Sequence, residues 1–223
     1  MAQESDEAAA AAVTALIARH CGVADNVFHE LVSDVVHIDV HVVTPDPTDG
    51  DDAAWTLFTT GMSDLPMAVP EGVEAPRFAE LMLRLPASWQ VSQAAFADER
   101  WYWPVRWLKM LARLPHVQHT WLGEGHTIPN GDPPRPLHEE SRFVGVVIGA
   151  PTSLPDEDDV ARTDTKVIHI LALYPLHAGE MTLKLQRGWS ELADRLAAAD
   201  ITDLVDETRP SVADGVKPPR RRR

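Results

Sequence analysis

The chain has 223 residues and one cysteine, so it is long enough to bury a large core but cannot form an internal disulfide. Its 34 acidic residues outnumber its 20 basic residues, for a formal net charge of −14. Five basic residues lie in the last seven positions, so residues 1–216 hold the other 15 and carry −19. A surface of this charge repels phosphate backbones, which excludes nucleic-acid binding by the folded body.

Targeting and membrane segments are not evident in the sequence. The first ten residues are acidic and lack the basic start of a signal peptide. No apolar run reaches the roughly 20 residues that a bilayer span needs. We therefore expect a cytoplasmic protein without a membrane partner.

The first half of the chain predicts one helix and three strands. Residues 6–19 favour a helix with an apolar stripe of Val13, Leu16 and Ile17, which ends before Gly22. Strict alternation over 35–43 predicts a strand, and 54–60 and 78–85 predict two more. The proline-rich stretch between the last two strands predicts irregular structure.

The second half predicts further helices and two buried strands. A helix is expected over 104–114, with Pro104 in its first turn, followed by an extended loop over 115–140. The apolar runs 143–150 and 167–176 are typical of central strands, and two short helices follow near 177–187 and 188–199.

These elements predict a domain of the α/β (α+β) class. We expect a single domain over 6–207, with a mixed β-sheet flanked by helices. Residues 1–5 and the Pro- and Arg-rich residues 208–223 are expected to be disordered.

Motifs for cofactor and nucleophile chemistry are incomplete. The sequence contains no P-loop, and the dinucleotide and serine-nucleophile patterns each lack a required glycine. A lone Cys21 is no evidence for a thiol catalyst. We therefore expect no cofactor and no enzymatic activity.

One cluster supports an alternative. His37, Asp39 and His41 alternate along the first predicted strand and project from one face. Imidazole and carboxylate groups at this spacing suit zinc, iron or manganese, so a metal-dependent hydrolase is one interpretation. A polar strand face in which Asp39 accepts hydrogen bonds is the other.

Bulky side chains supply candidate contact residues. Trp101, Trp103 and Trp107 are too densely spaced for one core face, so Trp103 is either a core residue or an anchor for a partner. The methionines, Met110 among them, either fill the core or line an adaptable groove.

Several motifs occur in a recognisable order. They include His37–Val40, Trp55–Asp64 with Pro66-Met67, Arg77–Met82 with Leu85-Pro86 and Trp89, Leu108–His116, Gly125–Pro133, and Tyr174–Leu176 with Glu180-Met181. Together they resemble the suppressor-of-fused family over about residues 30–205.

This resemblance implies a protein-interaction domain. Animal members are two-domain proteins that sequester a transcription factor through an extended peptide, and this chain has room only for the first domain. It is similar to compact bacterial members, which implies an immunity protein that neutralises a toxin. The acidic body suits a basic toxin as the partner. Sequestration of a transcription factor remains an alternative.

The resemblance also points to candidate contact residues. In animal relatives the turn at Thr60–Asp64 lies near the peptide cleft. The other interpretation is a purely structural turn. In such a turn Gly61 would have a positive φ or allow close approach of another chain. The candidates for partner binding are Asp39, Thr60, Gly61, Met62, Ser63, Asp64, Glu80 and Trp103.

Overall fold

The computed structural model describes residues 2–30, 35–155 and 159–214, which form four helices and eight strands. The helices are α1 (Ala2–His20), α2 (Glu99–Val117), α3 (Ala178–Arg187) and α4 (Trp189–Ala198). The strands are β1 (Asn26–Phe28), β2 (Asp39–Val43), β3 (Ala54–Thr60), β4 (Ala79–Pro86), β5 (Thr127–Pro129), β6 (Phe143–Gly149), β7 (Val160–Arg162) and β8 (Val167–His177). The expected mixed sheet in a single α/β domain is confirmed.

The strands form one mixed sheet in the order β1-β2-β3-β4-β8-β6-β5, with β7 paired to β8. Strands β1 to β4 make an antiparallel meander, and β6 is antiparallel to β8. The pairing of β4 with β8 is parallel and runs from Ala79↔His169 to Met82↔Ala172. This parallel pair joins the two antiparallel halves.

Helices cover both faces of the sheet. The α2 side chains pack with Val40, Leu57 and Leu81 on one face. The apolar stripe of α1 and residues of α3 and α4 pack on the other face, where Phe58 and Met82 project. Because both faces are covered, almost every residue of the central strands is apolar. This explains the near-continuous apolar runs that predicted these strands.

Helix α1 matches its predicted apolar stripe but begins earlier. Val13, Leu16 and Ile17 are buried, and Gly22 follows the helix end with a φ of 100°. The helix starts at Ala2 instead of residue 6, within the stretch that was expected to be disordered. The alanine-rich, acidic sequence continues the helix because it contains no glycine or proline that would stop it.

Helix α2 begins five residues before the predicted start at Pro104. The Asp98 side chain accepts a hydrogen bond from the Arg100 backbone N–H at 2.9 Å and caps the helix. Pro104 and Pro115 both lie inside the helix. The longer helix places the predicted tryptophan cluster on its first three turns.

The first predicted strand is shorter than its alternating pattern. Residues 35–38 are not in a strand, and β2 starts at Asp39 because β1 and β3 pair only with positions from there on. The alternation still describes burial, since Val36, Ile38, Val40 and Val42 are all buried. Four further strand predictions are confirmed within a residue or two: 54–60, 78–85, 143–150 and 167–176. Both late helices are confirmed equally closely.

The segment after α4 is attached to the core by a buried ion pair. Both guanidinium Nη atoms of Arg209 donate to the Glu180 carboxylate, at 2.6 and 2.8 Å, and Nη2 also donates to the Pro175 carbonyl at 2.8 Å. The Val212 N–H donates to the same carboxylate at 3.0 Å. Part of the expected disordered tail, residues 208–214, thus contacts the folded body, and residues 215–223 lie outside the described residues.

This ion pair controls the ionisation of Glu180. Burial alone would raise the pKa of Glu180, but hydrogen bonds from Arg209 and His177 and the positive charge of Arg209 lower it to about 2. A lowered carboxyl pKa stabilises the fold above the unfolded-state pKa of about 4.3, and this contribution is lost as pH falls toward 2.

Replacing Arg209 by Met should leave Glu180 buried without a cation and lower the free energy of unfolding at about pH 7 by about 3–5 kcal/mol. The penalty should shrink toward about pH 3, where a protonated Glu180 no longer needs a cation. Urea unfolding of both proteins across this range measures the difference. The double variant Arg209→Met/Glu180→Gln should be more stable than the single variant at neutral pH, and an equal or lower stability would contradict the explanation.

Candidate partner-binding site

The turn after β3 is held by close backbone packing. Gly61 has a φ of 104°, and a Cβ atom built on it would lie 1.8 Å from the carbonyl oxygen of His37. The positive φ proposed for this glycine from the sequence is therefore present. The close approach is made by the backbone of the same chain instead of by another chain.

Glu80 binds this turn from the neighbouring strand. Its carboxylate accepts hydrogen bonds from the Thr59 hydroxyl at 2.6 Å and from the N–H and hydroxyl of Ser63 at 2.9 and 2.7 Å. Burial raises the pKa of Glu80, and these hydrogen bonds oppose the increase. From outside the turn, the Lys166 ammonium donates to the carbonyls of Ser63 and Asp64.

Most of the predicted contact residues are therefore inside the molecule. Five of the eight candidates are buried, namely Thr60, Met62, Ser63, Glu80 and Trp103. The other three, Asp39, Gly61 and Asp64, are partly exposed. Trp103 is fully buried in the layer between α2 and the sheet, with the edge of Trp89 packed against it at a ring distance of 6.2 Å. In the free chain, the buried members hold the fold.

The predicted metal cluster is only partly brought together. His37 Nε2 lies 3.1 Å from an Asp39 carboxylate oxygen, but His41 turns away. Its ring stacks on Phe58 and its Nε2 is 2.9 Å from the Thr60 hydroxyl, and burial lowers its pKa. The structure therefore does not favour a hydrolase site built from His37, Asp39 and His41.

The third member of the observed cluster is His29. Strand β1 pairs with β2 so that Phe28 lies opposite Val40, and the next residue, His29, reaches Asp39. Its Nδ1 lies 2.9 Å from the second Asp39 carboxylate oxygen. The sequence contains no local signal for this contact, because β1 has only three residues.

A groove lies between the exposed face of α2 and the end of β1. We call it the α2 groove; its cavity volume is about 700 Å³. It is lined by His29, Glu30, Tyr102, Arg106, Lys109, Met110, Arg113, Leu114, Val117 and Gln118. A second cavity of about 580 Å³, which also contacts His29, Tyr102 and Lys109, extends it past Phe28 and Phe96.

The α2 groove combines exposed apolar side chains with cations. Met110 is 38% exposed and Val117 52% exposed, so neither fills the core. Arg113 forms an ion pair with Glu30, and Lys109 Nζ donates to the His29 carbonyl at 3.2 Å. Burial lowers the pKa of Lys109, opposed by the charge of Asp39.

Sequence reasoning named Met110 as a possible groove residue but overlooked the basic residues on the same helix face. Arg106, Met110, Arg113 and Val117 recur at spacings of four, three and four, which places them on one helix face. The sequence left Met110 as either a core residue or a groove residue, and its 38% exposure places it on the open face of α2. The mixture of basic and apolar residues on this helix face is the signal that distinguishes an exposed face.

Among the described residues, no helix is both long enough and apolar enough to span a bilayer.

Comparison with known proteins identifies the family and the fold. A family model described as suppressor of fused protein (SUFU) matches residues 34–210. The structure is similar to a chain in the crystal structure of the Sufu–Fu complex, with a TM-score of 0.61, 15% identity and coverage of 92% of this chain and 91% of that one. It is also similar to Drosophila Suppressor of Fused, with a TM-score of 0.52, 15% identity and coverage of 79% of this chain, but it spans only 42% of the Drosophila chain. No curated protein matches the sequence.

The close approach at Gly61 predicts a large effect of a single methyl group. Gly61→Ala should lower the free energy of unfolding by about 4 kcal/mol or more, because the new Cβ overlaps the His37 carbonyl. Gly72→Ala is the matched control, since Gly72 has a φ of 81° and nothing within 4 Å of its Cβ position. The control should cost only about 1–2 kcal/mol. Equal losses in chemical denaturation would contradict the account of the turn.

Proposed function

The chain belongs to the suppressor-of-fused family, and from this premise we propose that it is a non-catalytic protein-binding module that holds its partner in the α2 groove. The observation that carries the proposal is the helix face of Met110, Val117 and their basic neighbours, which no other element of the described chain covers. Exposed apolar residues beside charged ones are typical of a binding surface.

A protein partner is supported by the family. A structurally similar chain was crystallised in a Sufu–Fu complex, so a protein with this fold is found bound to another protein. Among the candidate contact residues, Glu80, Ser63 and Trp103 are buried and so are not accessible to a partner in this conformation.

The chemistry of the α2 groove selects the contacting segment of the partner. Lys109 donates to a neutral carbonyl and has no directly bonded carboxylate among the described residues. Arg106 and Arg113 have ion-pair partners, Glu99 and Glu30, but remain partly exposed. A segment that places a carboxylate near Lys109 and an apolar side chain over Met110 is complementary to this arrangement.

A finer form of the proposal is immunity to a toxin. The charge of −19 over residues 1–216 attracts a basic protein at long range and speeds its association. Long-range attraction depends on the whole charge distribution, whereas the final contact depends on the groove. A basic toxin that offers an acidic or apolar segment satisfies both conditions.

Introducing a charge into the groove should separate groove binding from general association. Met110→Asp places a carboxylate on the exposed apolar face and should weaken binding at least about tenfold, which corresponds to about 1.4 kcal/mol. Leu185→Asp is the matched control, because Leu185 is 78% exposed on α3, across the sheet from the groove. Isothermal titration calorimetry measures the affinity of each variant for the candidate partner, the protein encoded by the gene next to that of this chain. Equal affinity of the two variants would place the partner elsewhere.

The immunity proposal predicts rescue of growth. Co-expression with a toxin encoded beside its gene should restore growth and yield a stable complex, and the association rate should fall as salt screens the charges. Met110→Asp should reduce the rescue more than Leu185→Asp. Absence of both complex and rescue would contradict immunity against that toxin.

A further inference from the structure

Two imidazoles and one carboxylate converge beside the α2 groove. His29 Nδ1 lies 2.9 Å from one oxygen of Asp39, and His37 Nε2 lies 3.1 Å from the other. One donor atom from each of the three residues lies within 4.8 Å of the others. Ligand atoms around a tetrahedral zinc ion are about 3.4 Å apart, so rotations about side-chain bonds are sufficient to bring these atoms onto one ion.

The backbone that carries these ligands is fixed independently of any ion. The Glu30 N–H donates to Asp39 Oδ1 at 3.2 Å, and the Ile38 N–H donates to the Glu30 carboxylate at 3.2 Å. Arg113 forms an ion pair with that carboxylate. The two ligand-bearing segments, at residues 29–30 and 37–39, are therefore bonded to each other, which reduces the entropy that metal binding must overcome.

Exposure and donor type restrict the kind of ion. The side chains of His29 and His37 are 63% and 50% exposed, and that of Asp39 is 18% exposed, so an ion can enter from solvent. Two imidazole nitrogens with one carboxylate suit zinc far better than calcium or magnesium, which prefer oxygen ligands. Lys109 and Arg113 nearby oppose a cation and Glu30 favours it, so the affinity is below that of four-ligand structural zinc sites.

We infer that His29, His37 and Asp39 form a surface site for Zn²⁺ with three protein ligands and at least one open coordination position. This site differs from the metal-dependent hydrolase predicted from the sequence in one ligand, and no catalytic step is assigned to it. It is independent of the proposed protein binding, although an ion here would lie at the edge of the α2 groove, which His29 and Glu30 also line.

Zinc titration of the full, untagged chain tests the site. Competition with a chromogenic chelator should show one Zn²⁺ per chain, and Co²⁺ should give the visible absorption of an ion ligated by the protein. His37→Ala and His29→Ala should each weaken zinc binding at least about tenfold, since each removes one of three ligands. Both side chains are largely exposed, so the thermal unfolding of the metal-free variants should match that of the unaltered chain.

His41→Gln is the matched control. His41 neighbours Asp39 on the same strand but bonds to Thr60, so this variant should retain zinc binding. Absence of saturable binding by the unaltered chain would overturn the inference, as would a His41→Gln variant that loses as much affinity as His37→Ala. Because this experiment contains no partner protein, its outcome is separate from that of the groove variants.

Discussion

The parallel pairing of β4 with β8 is the constraint on which the rest of the structure depends. It is the contact that joins the antiparallel meander of β1–β4 to the half built from β8, β6 and β5. Both strands are buried on their two faces, with α2 on one side and α1, α3 and α4 on the other. Loss of this pairing would expose apolar strand surface in both halves and leave the helices without a common layer to cover.

The turn held by Glu80 is built onto this junction. Glu80 lies on β4 opposite Ile170 of β8, and its carboxylate binds the turn that ends β3. Gly61 then permits the His37 backbone to pass against the turn, which positions the segment that carries His37 and Asp39. Glu80 and the turn at Thr60–Asp64 thus contact each other inside the fold. The surface that we propose for a partner lies on α2, and its exposed face is set by helix geometry.

Long apolar runs made the centre of the fold predictable, and short or non-local contacts hid the rest. The runs over 143–150 and 167–176 identify strands because burial on both faces leaves no room for polar residues. Strands β1, β5 and β7 have three residues each, too few to show a period. The observed histidine cluster contains His29 where the sequence predicted His41. This difference depends on the register between β1 and β2, which the spacing of residues within β2 does not reveal. The α2 groove was only partly predictable, because the end of β1 that forms its other wall, at His29 and Glu30, has no sequence pattern of its own.

The lengths of the two outer strands limit how this protein associates. Strands β1 and β5 lie at opposite ends of the sheet, each has three residues, and β5 ends in Pro129, which has no N–H to donate. An added strand could pair with only about three residues at β1 or at β5, so sheet-to-sheet polymerisation between copies through these edges is disfavoured. The same limit applies to a binding partner. A peptide that added a strand at β1 would gain few backbone hydrogen bonds, so most of the binding energy would have to come from side-chain contacts. If the partner binds the α2 groove as proposed, substitutions on this single helix would change specificity without disturbing the sheet.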